Sequence, residues 1–254
     1  MKNLFFIFLG LLLLAINNSC TKTENGIITQ LPSINSDNNK VVGASAKDLL
    51  TATNYTSVKI EIQYMPGYAP DPAAINNLNS FFYNLINKPN GITIVQTPIS
   101  ASGKSILSLS DIATIEKNSR TVFSSGSQLG VYFLYTDGTY SEGNVLGLAY
   151  RNTSICIIGK TIYDNSGAVG QVSRTKLETT VLQHELGHIL GLVDLGSAMK
   201  INHKDAAHGN HCNNTNCIMY YASETTDALG FLLTGAIPNL DVNCSADLRA
   251  NGGK

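Results

Sequence analysis

All five histidines of this chain, His184, His188, His203, His208 and His211, fall in one short window, and the first two belong to the run His184-Glu185-Leu186-Gly187-His188. Residues four apart on a helix lie on the same face one turn apart, so a helix here would present two imidazoles together. In that form His184 and His188 can offer ring nitrogens to one zinc ion at about 2.0 to 2.1 Å. Glu185 follows the first of them, which puts its carboxylate beside a water on the ion rather than on the ion itself. Zinc lowers the pKa of such a water from about 15.7 to roughly 7, and a neighbouring carboxylate can take the proton as the water attacks a peptide carbonyl. The two histidines are candidate ligands and Glu185 a candidate general base.

The flanks support the helix. Thr175 and Glu178 have the form of a capping box, and Leu182, Leu186, Ile189, Leu190 and Val193 recur at helical spacing on the face away from the histidines. Gly191 stands where a left-handed residue ends a helix and turns the chain. With Asp194 the full string is H-E-x-x-H-x-x-G-x-x-D, and Cys217-Ile218-Met219-Tyr220-Tyr221 follows downstream.

From His184 to Tyr221 the chain resembles the metzincin clan of zinc endopeptidases, whose pattern is H-E-x-x-H-x-x-G-x-x-H/D followed by a methionine-containing turn. The resemblance implies Zn2+ as cofactor, Met219 packed beneath it, and Tyr221 as a donor to the oxyanion of the tetrahedral intermediate. Two residues compete for third ligand. Asp194 occupies the position that carries aspartate in the snapalysin-like branch. His211 opens His211-Cys212-Asn213-Asn214-Thr215-Asn216-Cys217-Ile218-Met219, which is similar to the archaemetzincin string H-C-x4-C-x-M. Position favours Asp194, and the frequency of histidine as a third ligand favours His211. The later C-x-x-C that completes a second zinc site in archaemetzincins is missing here. His203, Asp205 and His208 lie between the rivals; a polar surface loop is the expectation, a second metal site the alternative.

The N-terminus bears on the compartment. Met1-Lys2-Asn3 precedes an apolar stretch from Leu4 to Ile16, a length that suits a signal-peptide core rather than a membrane span. Ser19-Cys20 resembles a bacterial lipoprotein signal, although Asn17 and Asn18 depart from it. The resemblance implies lipidation of Cys20 and an exported protein on a bacterial membrane, at the outer membrane or cell surface. The expected organisation is a signal over 1–20, a flexible Asn/Ser/Thr/Lys-rich tether over 21–44 and a catalytic domain over 45–254. In an oxidising compartment the other four cysteines allow three disulfide pairings. Cys212 with Cys217 closes a small loop before Met219, leaving Cys156 for Cys244.

A formal net charge of −1 and no basic, aromatic-interleaved patch argue against nucleic acid. Alternating or helical periodicity predicts strands at 58–64, 92–96, 131–135, 145–150 and 154–158, and helices at 72–85, 111–118 and about 241–251. The fold class expected is α+β and metzincin-like: a mixed sheet and the active-site helix in an upper subdomain (45–191), with a small, mostly irregular or helical lower subdomain (192–254). The resemblance makes the 145–150 strand the candidate edge for an extended substrate. The functional expectation is a monomeric zinc metalloendopeptidase acting on proteins or peptides outside the cytoplasm. The alternative is a catalytically inactive, zinc-stabilised surface binding or adhesion lipoprotein.

Overall fold

The computed structural model describes residues 31–254, so Cys20, the apolar stretch before it and most of the expected tether lie outside the described residues. The chain builds α1 (Ala46–Leu50), β1 (Ser57–Tyr64), α2 (Pro72–Leu85), β2 (Ile92–Pro98), β3 (Ile106–Leu107), α3 (Leu109–Ser119), β4 (Gln128–Tyr135), β5 (Thr139–Tyr140), β6 (Gly147–Arg151), β7 (Ser154–Ile157), α4 (Gly159–Asp164), α5 (Arg174–Ile189), α6 (Ala228–Thr234) and α7 (Val242–Ala250). Five strands form one mixed sheet in the order β2-β1-β4-β7-β6. The first four run parallel, and β6 closes one edge antiparallel to β7.

Strand side chains alternate between faces, and that period sorts the core into two. Val58, Ile60 and Ile62 of β1 with Val131, Phe133 and Tyr135 of β4 pack against Leu78 and Phe82 of α2 and Leu182, Leu186 and Ile189 of α5. Tyr132 and Leu134 of β4 with Cys156 of β7 face the other way, onto Ile112 and Ala113 of α3. Helices therefore cover both faces, as a parallel sheet requires. Local chemistry starts them: Asp71 caps α2 ahead of Pro72 at its first position, and Ser108 with Asp111 forms a reciprocal capping box on α3.

A buried charge cluster locks α3 to the sheet. Glu116 Oε1 accepts from Arg120 Nη1 at 2.8 Å and Ser154 Oγ at 2.6 Å, and Oε2 accepts from Arg151 Nη1 at 2.9 Å. Residues 32–44, expected as part of the tether, are packed onto this face. Arg151 Nη2 donates to Pro32 O at 2.6 Å, and the buried Asn38 amide donates to Ser124 Oγ, Gly130 O and Thr153 Oγ1. An asparagine whose amide is satisfied by three separate strands and loops is part of the domain, not of a spacer. After α5 the chain is mostly turns, with a 3-10 turn at Tyr221–Glu224 and the short helices α6 and α7, the latter capped by Asp241. Among the described residues no helix is long and apolar enough to cross a membrane.

Candidate metal centre

Helix α5 does not start as its sequence suggests. Ser173 is the cap, accepting from Lys176 N, while Thr175 donates to Asp71 Oδ2 at 2.9 Å. Glu178 Oε1 accepts from Asp71 N at 2.9 Å and from Tyr135 Oη at 2.8 Å. The expected Thr175/Glu178 box gives way to a tertiary tie that joins α5 to the start of α2 and to β4. Burial pushes the Glu178 carboxyl up to about 7, against the hydrogen bonds from Asp71 and Tyr135. From Leu177 to Ile189 every residue of α5 is buried, so the histidine face is enclosed as well as the apolar one.

That face holds a convergent set of donors. His184 Nε2 and His188 Nε2 lie 3.0 Å apart, and one donor atom each from His184, His188, His211 and Glu224 falls within 4.8 Å of all the others. His184 Nδ1 donates to Ile218 O at 2.7 Å and His211 Nδ1 to His208 O at 2.6 Å. Those bonds fix the tautomer that leaves each Nε2 as a bare lone pair facing the cluster, the arrangement a metal-binding imidazole needs. Burial, with the neighbouring imidazoles, brings His188 down to about 4 and so keeps it neutral.

The Met219 turn shapes the floor. A Cβ on Gly187, inside the H-E-x-x-H run, would stand 2.2 Å from Met219 Sδ, so glycine there is what lets the fully buried methionine close under the helix. Ile218 supplies the carbonyl for His184, and Met219 O accepts from Cys212 N at 2.8 Å.

Of the two rival third ligands the fold brings His211 to the pair. Asp194 is exposed, with left-handed φ of 70°, and stands outside the cluster. Gly191 (φ 79°), Val193 (φ 53°) and Asp194 form a left-handed turn that throws the Asp194 side chain outward. A Cβ on Gly191 would meet Ser197 N at 2.6 Å, so the turn is tight as well as left-handed.

Glu185 is wholly buried, and neither carboxylate oxygen has a hydrogen-bond partner of normal geometry. Burial, then the charge of Glu224, push its carboxyl well above the usual range, and the Ala149 amide opposes this only in part. It sits directly under the edge strand: a Cβ on Gly147 would be 3.1 Å from Glu185 Oε1. Tyr221, the expected oxyanion donor, stacks its ring on His208 at 3.6 Å between centroids.

Glu224 had no signal in the sequence. Its carboxylate lies 3.4 Å from His184 Nε2, 3.6 Å from His188 Nε2 and 3.2 Å from His211 Nε2. Burial raises its pKa, but the three imidazoles outweigh that and hold it well below the usual range. In turn, burial opposes charge on His211 and the Glu224 carboxylate outweighs it, raising the His211 pKa.

A second donor cluster lies behind the Met219 turn. Cys217 Sγ is 3.6 Å from Cys244 Sγ, and His203 Nδ1 is 3.3 Å from Cys212 Sγ and 3.9 Å from Cys244 Sγ. His203 Nε2 is tied to Asp247 Oδ2 at 2.8 Å, and Asp241 Oδ2 accepts from Cys212 Sγ at 3.4 Å. All four described cysteines are free thiols. The expected Cys156–Cys244 pairing is ruled out, because Cys156 faces the other side of the sheet, while Cys212, Cys217 and Cys244 meet in one core. The His203/Asp205/His208 grouping is also split, because His203 joins the thiols and His208 pairs with Asp205 at 2.7 Å.

Two histidines and a glutamate on one buried helix, met by a third histidine over a methionine turn, define the class of metal-dependent peptidases. Comparison with known proteins identifies the family. Residues 73–231, more than half of the chain, match the model of Reprolysin_5, metallo-peptidase family M12. The chain belongs to that family and is a metallopeptidase at that level. Among solved structures, archaemetzincin from Methanopyrus kandleri is similar over 77% of this chain and 96% of its own, at 16% identity and a TM-score of 0.48. Metalloproteinase-II from Bacteroides fragilis is similar over 80% of this chain, at 15% identity and a TM-score of 0.42, and this chain spans 55% of it. No curated protein matches the chain.

Proposed function

We infer that the chain is an exported zinc metalloendopeptidase that holds zinc with His184, His188 and His211, uses Glu185 as general base, and is anchored to a bacterial membrane through Cys20. One observation carries the metal part. One donor atom each from His184, His188, His211 and Glu224 converges within 4.8 Å of the others, with the His184 and His211 Nε2 lone pairs freed by their Nδ1 bonds, and a divalent cation among them satisfies all of these donors at once. The donor set therefore fits zinc. When bound, zinc supplies Lewis acidity that acidifies water and polarises the scissile carbonyl.

The chain's own residues supply the rest. Glu185, with no hydrogen bond of normal geometry to either oxygen, is free to take a proton from a nucleophilic water and pass it to the leaving amine. Strand β6, antiparallel at the sheet edge and directly above Glu185, offers its backbone to an extended peptide, which would add as a further strand. The three thiols of Cys212, Cys217 and Cys244 converge with the Asp241 carboxylate, a donor set acceptable to structural zinc, and would hold a second ion that plays no part in the chemistry.

A catalytically silent, zinc-stabilised binding module is favoured by one feature: Glu224 is a fourth protein donor, and closed four-donor sites are structural more often than catalytic. Cleavage of a diverse quenched peptide library by the soluble chain from Thr21 onward, with zinc, beside its Glu185→Ala variant, separates the two. Cleavage by the parent and not by the variant supports the peptidase. No cleavage by either, with zinc held by both, rejects it. For the anchor, an unmodified mature N-terminus in mass spectrometry would reject lipidation of Cys20.

A further inference from the structure

The segment that follows the Met219 turn does two things at once. Its last 3-10 residue, Glu224, places a carboxylate within 3.6 Å of all three Nε2 atoms. The 3.2 Å approach of His211 Nε2 and Glu224 Oε1 lacks hydrogen-bond geometry, since that nitrogen stays without a hydrogen-bond partner. The contact is thus the spacing of two donors to a common ion rather than of a donor and an acceptor. Meanwhile the backbone of the same segment is stitched to the approach of β6. Leu146 N donates to Glu224 O at 2.7 Å, Thr226 N donates to Asn144 O at 3.0 Å, and Val145 faces Thr225 as an antiparallel bridge.

Gly147, the residue directly above Glu185, lies two residues beyond the Val145 bridge. A peptide laid along β6 and across Glu185 would run into residues 224–226, which already fill the strand position beside 144–146. The carboxylate beside the imidazoles and the false strand at the edge belong to one short piece of chain, so one cannot be released far without the other. Glu224 keeps a side-chain exposure of 24%, which leaves the piece reachable from solvent.

We propose that residues 222–227 form a built-in latch: Glu224 is a removable fourth ligand of the catalytic zinc, and the 224–226 backbone occupies the substrate edge until a substrate strand displaces both. The proposal rests on the peptidase reading for its purpose but not for its geometry. It gives the metal two states, closed by Glu224 or open to an exogenous oxygen donor. A substrate whose backbone pairs well enough with 144–146 to replace the internal strand opens its own site, so poorly pairing peptides are left uncut.

The test uses the zinc-loaded soluble chain and acetohydroxamate, a small oxygen chelator that needs vacant positions on a metal. Glu224→Gln, nearly the same shape, is expected to bind acetohydroxamate at least tenfold more tightly than the parent and to hold zinc at least tenfold more weakly against a chromophoric chelator. Thr226→Pro, which removes the N–H that donates to Asn144 and leaves the carboxylate in place, is expected to tighten acetohydroxamate several-fold as well. If both variants bind acetohydroxamate as the parent does, the latch is wrong. If Glu224→Gln loses peptide cleavage without gaining hydroxamate affinity, Glu224 is part of the catalytic machinery and the proposal is overturned. If both variants gain hydroxamate affinity while neither they nor the parent cut peptides, the latch stands and the peptidase reading falls.

Discussion

Gly147→Ala should damage the enzyme chiefly through its contact with Val181, which can be removed independently. The backbone at Gly147 has no left-handed φ, so alanine meets no conformational penalty there. The new Cβ would stand 2.6 Å from Val181 Cγ1, with Glu185 Cγ at 3.0 Å and Oε1 at 3.1 Å. Valine in a helix is confined largely to one χ1 rotamer, and Val181 is fully buried, so it cannot swing away. Either β6 lifts from α5 or Glu185 is displaced. Overpacking of this kind costs about 1–3 kcal/mol, and misplacing a catalytic group by about 1 Å costs on the order of 10²-fold in rate. Val181→Ala removes the offending methyl and by itself should cost about 2 kcal/mol in lost burial and cavity. In the double variant the contact with Val181 is gone and only the tight approach to Glu185 remains, so its destabilisation should fall short of the sum of the single ones by at least about 1 kcal/mol. Urea unfolding with zinc in excess reads the stability, and kcat/KM on a fixed peptide reads the position of Glu185. Plain additivity in the cycle, or a Gly147→Ala variant equal to the parent in both assays, would refute the packing of the edge strand on the active helix.

Three further outcomes follow from the same geometry. His211→Ala should release the catalytic zinc at chelator concentrations the parent tolerates, whereas Asp194→Ala should match the parent; the reverse pattern would return Asp194 to the site. Metal analysis should find two zinc ions per chain and only one in Cys244→Ser; equal stoichiometry in both would remove the thiol centre. Glu178 has a folded pKa of about 7 against 4.5 unfolded, so the stability it contributes is complete below about pH 4.5 and is lost as pH rises through 7. The difference amounts to roughly 3 kcal/mol. Glu178→Gln, followed beside the parent by urea unfolding from pH 4.5 to 8.5, should flatten that slope, and an unchanged slope would place the titration elsewhere.

What could be read from the chain alone was what short-range geometry dictates. His184, Glu185 and His188 needed only helical spacing, and β1, β4 and α2 needed only periodicity. Where the reading failed, a distant partner had overridden a local pattern. Thr175 and Glu178 have the right spacing for a cap, but Asp71 and Tyr135 claim them across the fold. Asp194 has the right offset from Gly191, yet the left-handed φ at both Val193 and Asp194 turns it to solvent. Neither dihedral is legible in residues that rarely adopt it. Cys156 looks like the partner left over for Cys244, and nothing nearby announces that α7 delivers Cys244 to within 3.6 Å of Cys217 instead. Glu224 is an ordinary acid in a polar run until the turn at Met219 aims it.

One loop divides the histidine window between the helix histidines and the thiol core, and so links the two clusters. Asp205 N donates to His211 O at 2.7 Å and Lys204 bridges Cys212, so residues 203–212 close as a hairpin-like loop. One end sends His203 to the thiols; the other sends His211 to the helix histidines and its neighbour Cys212 back to the thiols. Cys217, two residues before Met219, fixes the far side of the same turn. A metal in the thiol cluster would therefore hold the backbone on both sides of His211 and under Met219, and without it His211 would have to be ordered at the moment it binds. Ordering a residue's backbone costs about 1–2 kcal/mol, so with even a few residues freed, Cys244→Ser should weaken zinc at the histidines by tenfold or more, although Cys244 touches none of them. Undiminished affinity at the histidine site in that variant would mean that the loop is held by its own hydrogen bonds and that the two centres are independent.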